Sequence, residues 1–184
     1  MTPADHLTDD WEFFEQQFEC FVCGSEDCVP PVGNTKSKIL IVAEFPGENE
    51  LEKGIPMVGN MGFVLRQELG HLGLDLKSTR RCNLWQHPPN GNQKCLEAGM
   101  KVVIEEAKGK QAILLLGDDV TKTFIDDRSI MKISGLRVKS SYFSAPIIIA
   151  CPNPALVFHK GRGIGEVRLA LSKFVKAIKE SKNE

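Results

Sequence analysis

No run in this 184-residue chain is apolar for the length a bilayer span requires, and its opening residues, MTPADHLTDDWEFF, are acidic where a secretory signal would be basic. No internal repeat or low-complexity tract interrupts it. A formal net charge of −1 excludes a global field for a polyanion, so any nucleic-acid surface has to be a local patch. The expected setting is a reducing cytoplasm, where the six cysteines suggest metal ligands or buried thiols before disulfides. What is present is ordinary: 42% hydrophobic and 26% charged residues, enough for one soluble domain, 1–184, with a substantial core.

Residues 8–18 form an amphipathic pattern, with Trp11, Phe14 and Phe18 on one side, acids on the other and Thr8 or Asp9 as cap. A loop-like stretch, 19–37, holds Cys20, Cys23, Cys28, Pro30, Pro31 and Gly33. The apolar run Ile39 to Ala43 predicts a buried strand. Phe63, Val64, Leu65 and Leu69 at helical spacing predict a helix from Gly59 to Gly70. Further strands are predicted at about 80–85, 112–117 and 146–150. Helices are predicted at 95–107, from Asp118 or Asp119 to about 126, and at about 163–181. The basic segment 128–143 has room for a hairpin. Short apolar strands separated by helices predict an α/β chain: a three-layer α/β/α sandwich with a central four-stranded parallel sheet, residues 1–37 packed on it.

Three strand ends carry polar, proline-rich loops: Glu44-Phe-Pro-Gly-Glu-Asn-Glu50, Asn83 to Asn92, and Pro152-Asn-Pro154. In a parallel sheet these ends share one edge, and ligands bind in the crevice beyond it. One such loop is an ordinary turn; three on one edge point to a cleft. Glu44, the first residue after its strand, is placed either for chemistry or simply to cap the next turn. Cys20-x-x-Cys23 has the spacing of a thiolate metal pair, with Cys95 at a helix start as a third candidate.

The stretch Glu44-Phe-Pro-Gly-Glu-Asn-Glu-Leu-Glu-Lys-Gly-Ile-Pro-Met-Val-Gly59 closely resembles the first motif of family 4 uracil-DNA glycosylases: Gly-Glu-Ala-Pro-Gly, an acidic stretch, then Gly-x-Pro-Phe-Val-Gly. Asn83-Leu-Trp-Gln-His-Pro-Pro-Asn90 resembles that family's Asn-Val-Val-Lys-Cys-Arg-Pro-Pro-Asn element, one residue shorter. Ile113 to Gly117 matches the strand before its next helix. Ala150-Cys-Pro-Asn-Pro-Ala-Leu156 sits where the family has Thr-Tyr-His-Pro-Ala-Ala-Leu. The match runs in order over about residues 20–178. The first motif is specific and the others are individually weak.

The resemblance implies an enzyme that flips a damaged nucleotide from DNA and hydrolyses its N-glycosidic bond in base-excision repair. It places Glu44, Glu50, Asn90 and Asn153 as the catalytic group, with Glu44 facing the cationic sugar or its water. Ala43, Phe45, Pro46, Gly47, Met57 and Asn83 would form the base pocket. Asn83 or Asn90 would read the uracil edge, Asn90 being closer to the family's position. Leu156, Val157, Phe158, His159, Lys160 and Arg162 occupy the family's minor-groove loop, as an apolar wedge with phosphate contacts; an ordinary loop before a helix is the bland alternative. No lysine falls where lyase chemistry would need one.

The family also implies a four-iron, four-sulfur cluster on four cysteines. Three map to Cys20, Cys23 and Cys95; the other position is His87, and histidine ligates iron in Rieske-type centres. Cys82 and Cys28 compete as fourth ligand, and zinc satisfies the same spacing. Cys151 reads as a buried thiol at the pocket wall. Several departures from the family stand out. Met57 replaces its stacking aromatic, Asn153 its motif-two histidine, Ala43 a glycine and Phe45 a small residue. They leave three expectations: a monomeric glycosylase on single- or double-stranded DNA in a bacterial, archaeal or phage-infected cell; a non-catalytic DNA-binding relative serving replication or repair; or an unrelated nucleotide hydrolase.

Overall fold

Runs of isoleucine, leucine and valine with no polar alternation need cover on both faces, and the chain supplies it with helices. The computed structural model describes residues 19–125, 129–158 and 163–182, so the expected helix at 8–18 and its cap lie outside the described residues. In chain order the strands are β1 (Val32–Gly33), β2 (Ile39–Ala43), β3 (Arg80–Asn83), β4 (Ala112–Leu116) and β5 (Ile147–Cys151). The helices are α1 (Glu48–Lys53), α2 (Asn60–His71), α3 (Gln93–Ala107), α4 (Asp118–Phe124), α5 (Ile130–Ile133) and α6 (Ile164–Glu180).

The sheet order is β1-β3-β2-β4-β5, with β3, β2, β4 and β5 mutually parallel. The expected four-stranded parallel sheet is therefore present, with one addition. The two-residue β1 pairs antiparallel on β3, Val32 opposite Arg81. A strand this short, directly after Pro30 and Pro31, leaves no periodic signal.

Side chains alternate across the sheet with the period of two that a pleat imposes. Ile41, Leu114, Leu116, Ile149 and Cys151 join Leu65 and Leu69 of α2 and Leu171 and Phe174 of α6 in one core layer. Leu40, Val42, Ile113, Leu115 and Ile148 join Val103 of α3 and Val120 and Phe124 of α4 in the other. The three-layer arrangement follows from these two clusters.

The segment after α4 departs from expectation. Its described residues form the one-turn α5 and then two single bridges, Ser134 to Ala150 and Arg137 to Ile149, along the outer edge of β5, and no hairpin. That covers backbone groups which an exposed edge would leave free for another chain.

From β2 the chain moves outward to β3, then returns across β2 to β4 and on to β5 in the opposite direction. The loops leaving β2 and β4 therefore diverge. The crevice between them is the switch point at which open α/β sheets take ligands.

Candidate active site and metal centre

Glu44 occupies that crevice. Its Oε1 accepts from the Asp119 amide in the first turn of α4 at 3.0 Å, and its Oε2 accepts from Asn153 Nδ2 at 3.2 Å. The side chain thus spans the exits of β2, β4 and β5. Burial raises its pKa; the Asp119 amide and Asn153 partly oppose this, and the nearby Asp119 charge adds to it. A carboxyl held this way grips a proton more firmly than a free one.

Gly117 makes the approach possible. It links β4 to α4 at φ +104°, and a Cβ there would stand 2.3 Å from the Glu44 carboxyl carbon. A glycine at a strand-to-helix junction is visible in the sequence, but what packs on it is not.

A cleft of about 580 Å³ opens beside Glu44, lined by Phe45, Gly47, Glu48, Asn60, Met61 and Asn153 among others. Phe45 is 44% exposed on this wall. Pro46 is buried next to it.

Glu50 also borders the cleft, but its carboxylate serves the backbone. Oε2 accepts from the Gly47 amide at 3.2 Å, and Oε1 from Val58 and Gly59 at 3.1 and 2.8 Å. It pins the loop after β2 to the turn that starts α2, which fixes Glu44 from behind. The short helix α1 that carries it lies where the sequence suggested only a turn.

The two candidate base readers part company. Asn83 ends β3 opposite Ala43, is 1% exposed, and its Nδ2 has no hydrogen-bond partner. Asn90 is exposed, accepts from the Asn92 amide at 3.0 Å and points its Nδ2 at Cys95 Sγ, 3.9 Å away. It lies with the cysteines and not in the cleft. Met57 is fully buried in the core layer shared with α2 and α6, at a left-handed φ of 63°. Asn153 caps the short turn Pro154–Phe158, its Oδ1 accepting from the Ala155 amide at 2.9 Å. In that turn Leu156 and Phe158 are half exposed, while Val157 packs against the core. His159, Lys160 and Arg162 lie outside the described residues.

The second centre joins the amino-terminal loop to the exit of β3 and the start of α3. One donor atom from each of Cys20, Cys23, His87 and Cys95 lies within 4.8 Å of the others. Cys20 Sγ is 3.9 Å from Cys95 Sγ, and Cys23 Sγ is 3.6 Å from His87 Nε2. His87 Nδ1 sits 2.8 Å from the Pro88 carbonyl oxygen, so the proton belongs on Nδ1 and the Nε2 lone pair faces Cys23. Burial works against ionising Cys20, yet hydrogen bonds from the Cys23 and Val22 amides bring it down to about 6. Three thiols and an imidazole are a donor set that zinc and iron centres share. Of the competing ligands, Cys28 turns its thiol to the Ser25 carbonyl and is pushed up to about 12, chiefly by burial. Cys82 is buried in the sheet core, where desolvation raises its pKa.

A doubly wound sheet with a half-buried carboxylate at its switch point, flanked by a cysteine–histidine centre, defines an α/β protein with a cleft at its strand ends. Residues 30–179 match the model of the Uracil DNA glycosylase superfamily, and the chain belongs to that superfamily. Within it, the similarity runs to type-4 uracil-DNA glycosylases. That of Archaeoglobus fulgidus is 41% identical over 63 residues, 34% of this chain and 32% of the relative. That of Thermotoga maritima is 31% identical over 111 residues, 56% of this chain and 58% of the relative. That of Pyrobaculum aerophilum is 29% identical over 120 residues, 62% and 58%. The matched stretches thus span less than two thirds of these relatives' own lengths.

Proposed function

We propose that the protein is a DNA glycosylase that hydrolyses the N-glycosidic bond of uracil, or of another deaminated base, flipped out of DNA. The observation that carries this is the position of Glu44: a half-buried carboxylate at the switch point, held by Asp119 and Asn153. The bond breaks with positive charge building on the sugar and negative charge on the base. A fixed carboxylate beside the sugar stabilises the cation and orients the water that completes the reaction.

Asn83 reads the base in this proposal. Its unpaired, buried Nδ2 costs about 1–3 kcal/mol when left unsatisfied. Uracil O4 accepts that donor, whereas the amino group of cytosine repels it. Phe45 offers the base an aromatic wall. Leu156 and Phe158 act as the wedge, with Lys160 and Arg162 on phosphates. The Cys20, Cys23, His87 and Cys95 centre is structural and holds the loop that follows Asn83 against the amino-terminal segment. One domain, acting as a cytoplasmic monomer, completes the proposal.

One observation favours a non-catalytic DNA-binding relative: Asn153, its amide already engaged by Glu44, carries no positive charge to the leaving base. Oligonucleotides bearing a single uracil, single- and double-stranded, separate the two. Cleavage by the parent protein that falls at least about 100-fold in Glu44→Gln supports the enzyme. Binding with no cleavage of any deaminated base sinks it.

A further inference from the structure

The donor spacing at the cysteine–histidine centre fits one metal ion and not a four-iron cluster, and we propose that this chain holds a single tetrahedral zinc-type ion there. Around one such ion, bonds of about 2.3 Å to sulfur and 2.0–2.1 Å to nitrogen place two sulfurs roughly 3.8 Å apart, and a sulfur and a nitrogen roughly 3.6 Å apart. The Cys20–Cys95 separation is 3.9 Å and the Cys23–His87 separation is 3.6 Å. All four donor atoms lie within 4.8 Å of one another.

A four-iron cluster needs its donors further apart than this. Each of its ligands binds a different iron at the outside of the cluster, so the donors stand apart by an iron–iron edge plus the outward bonds. Donors gathered this closely leave no room between them for four metals and four sulfides. An apolar cavity of about 210 Å³ does adjoin the centre, walled by Cys20, His87 and Cys95 with Phe21, Val29 and Val102. Cys23 is not among the residues that wall it.

The ligand chemistry agrees. Three cysteines and one histidine form an established set for structural zinc, and the fourth ligand here is nitrogen where the family carries sulfur. The Nδ1 contact to the Pro88 carbonyl is the outer-shell support that orients a metal-bound imidazole.

Full-length protein should be purified without oxygen, then incubated with excess ferrous iron and sulfide and, in parallel, with zinc. The expected result is a colourless protein with one zinc per chain and no acid-labile sulfide, which forms no stable brown species with iron and sulfide. Replacing zinc by cobalt(II) should give the intense visible bands of a tetrahedral thiolate site, one cobalt per chain. His87→Cys should still hold one ion per chain, and Cys95→Ser should hold none. About four irons and four sulfides per chain, in the purified or the reconstituted protein, would overturn the proposal. So would a parent protein that binds neither zinc nor cobalt.

Discussion

Glu44 and Gly117 carry the site at the scale of single residues. Because burial raises the pKa of Glu44, the native state holds its proton more tightly than the unfolded chain does. Its contribution to stability is therefore complete below the ordinary value of 4.5 and is lost as pH rises through the higher native value. Glu44→Gln removes that loss and keeps an oxygen for the Asp119 amide, but turns an NH₂ group toward Asn153 Nδ2. The two effects oppose, so at neutral pH this variant should melt within about 4 °C of the parent while its cleavage collapses; a larger drop would make Glu44 a structural cap. In the parent, the acid limb of the pH–rate profile should have its midpoint above 4.5.

Gly117→Ala tests the other side of the same contact. A methyl group 2.3 Å from the carboxyl carbon must displace Glu44. Turnover should fall roughly 100-fold, as for other small misplacements of a reacting group. Unfolding free energy should fall by about 1–3 kcal/mol, the scale for a side chain held at a φ and ψ open essentially to glycine alone. Equal kcat in parent and variant would show that Glu44 need not sit where it does.

At the scale of elements, the β2–α1–α2 connection is held by the Glu50 carboxylate as well as by the buried side chains of Ile55 and Met57. Three amides converge on one buried carboxylate. Glu50→Gln replaces charge-assisted bonds with neutral ones and turns an NH₂ group toward a donor. It should lower the unfolding free energy by about 2 kcal/mol in urea titration. An unchanged midpoint would mean that the loop has other anchors. The sequence exposes the carboxylates of this loop but not their division of labour. Glu44 and Glu50 look alike on paper, and only the folded backbone turns one to amides and the other to the cleft.

A similar division separates Asn83 from Asn90. Position in the motif favoured Asn90, yet it lies on the Cys95 side, its Nδ2 3.9 Å from the sulfur. Helix α3 reaches that centre because Gly99 lets it lie against the β3 exit loop, where a Cβ would stand 1.8 Å from the Leu84 carbonyl oxygen.

For the molecule as a whole, a net charge of −1 means that any affinity for DNA has to come from local contacts. If Lys160 and Arg162 supply the two principal phosphate contacts, log affinity should fall against log salt with a slope of about −2. The double substitution to alanine should flatten it toward zero. A slope several times steeper would point to a wider basic surface. Leu156→Ala with Phe158→Ala should weaken processing of uracil in duplex more than in single strands, since only a duplex leaves a gap to be filled.

Apolar runs and their helical or alternating periods were enough, in the chain alone, to set the layers, the parallel strands and the edge at which the loops meet, because burial of whole faces depends on pattern and not on distant partners. The motif spacing likewise marked Glu44 and the three cysteines. Pairings between residues 75 or more positions apart belong to the tertiary structure: Glu44 with Asp119 and Asn153, Cys20 with Cys95. So do the unpaired Asn83 amide, the burial of Met57 and the closeness of the metal donors. These depend on distances of a few tenths of an ångström between separate elements, which no local pattern encodes.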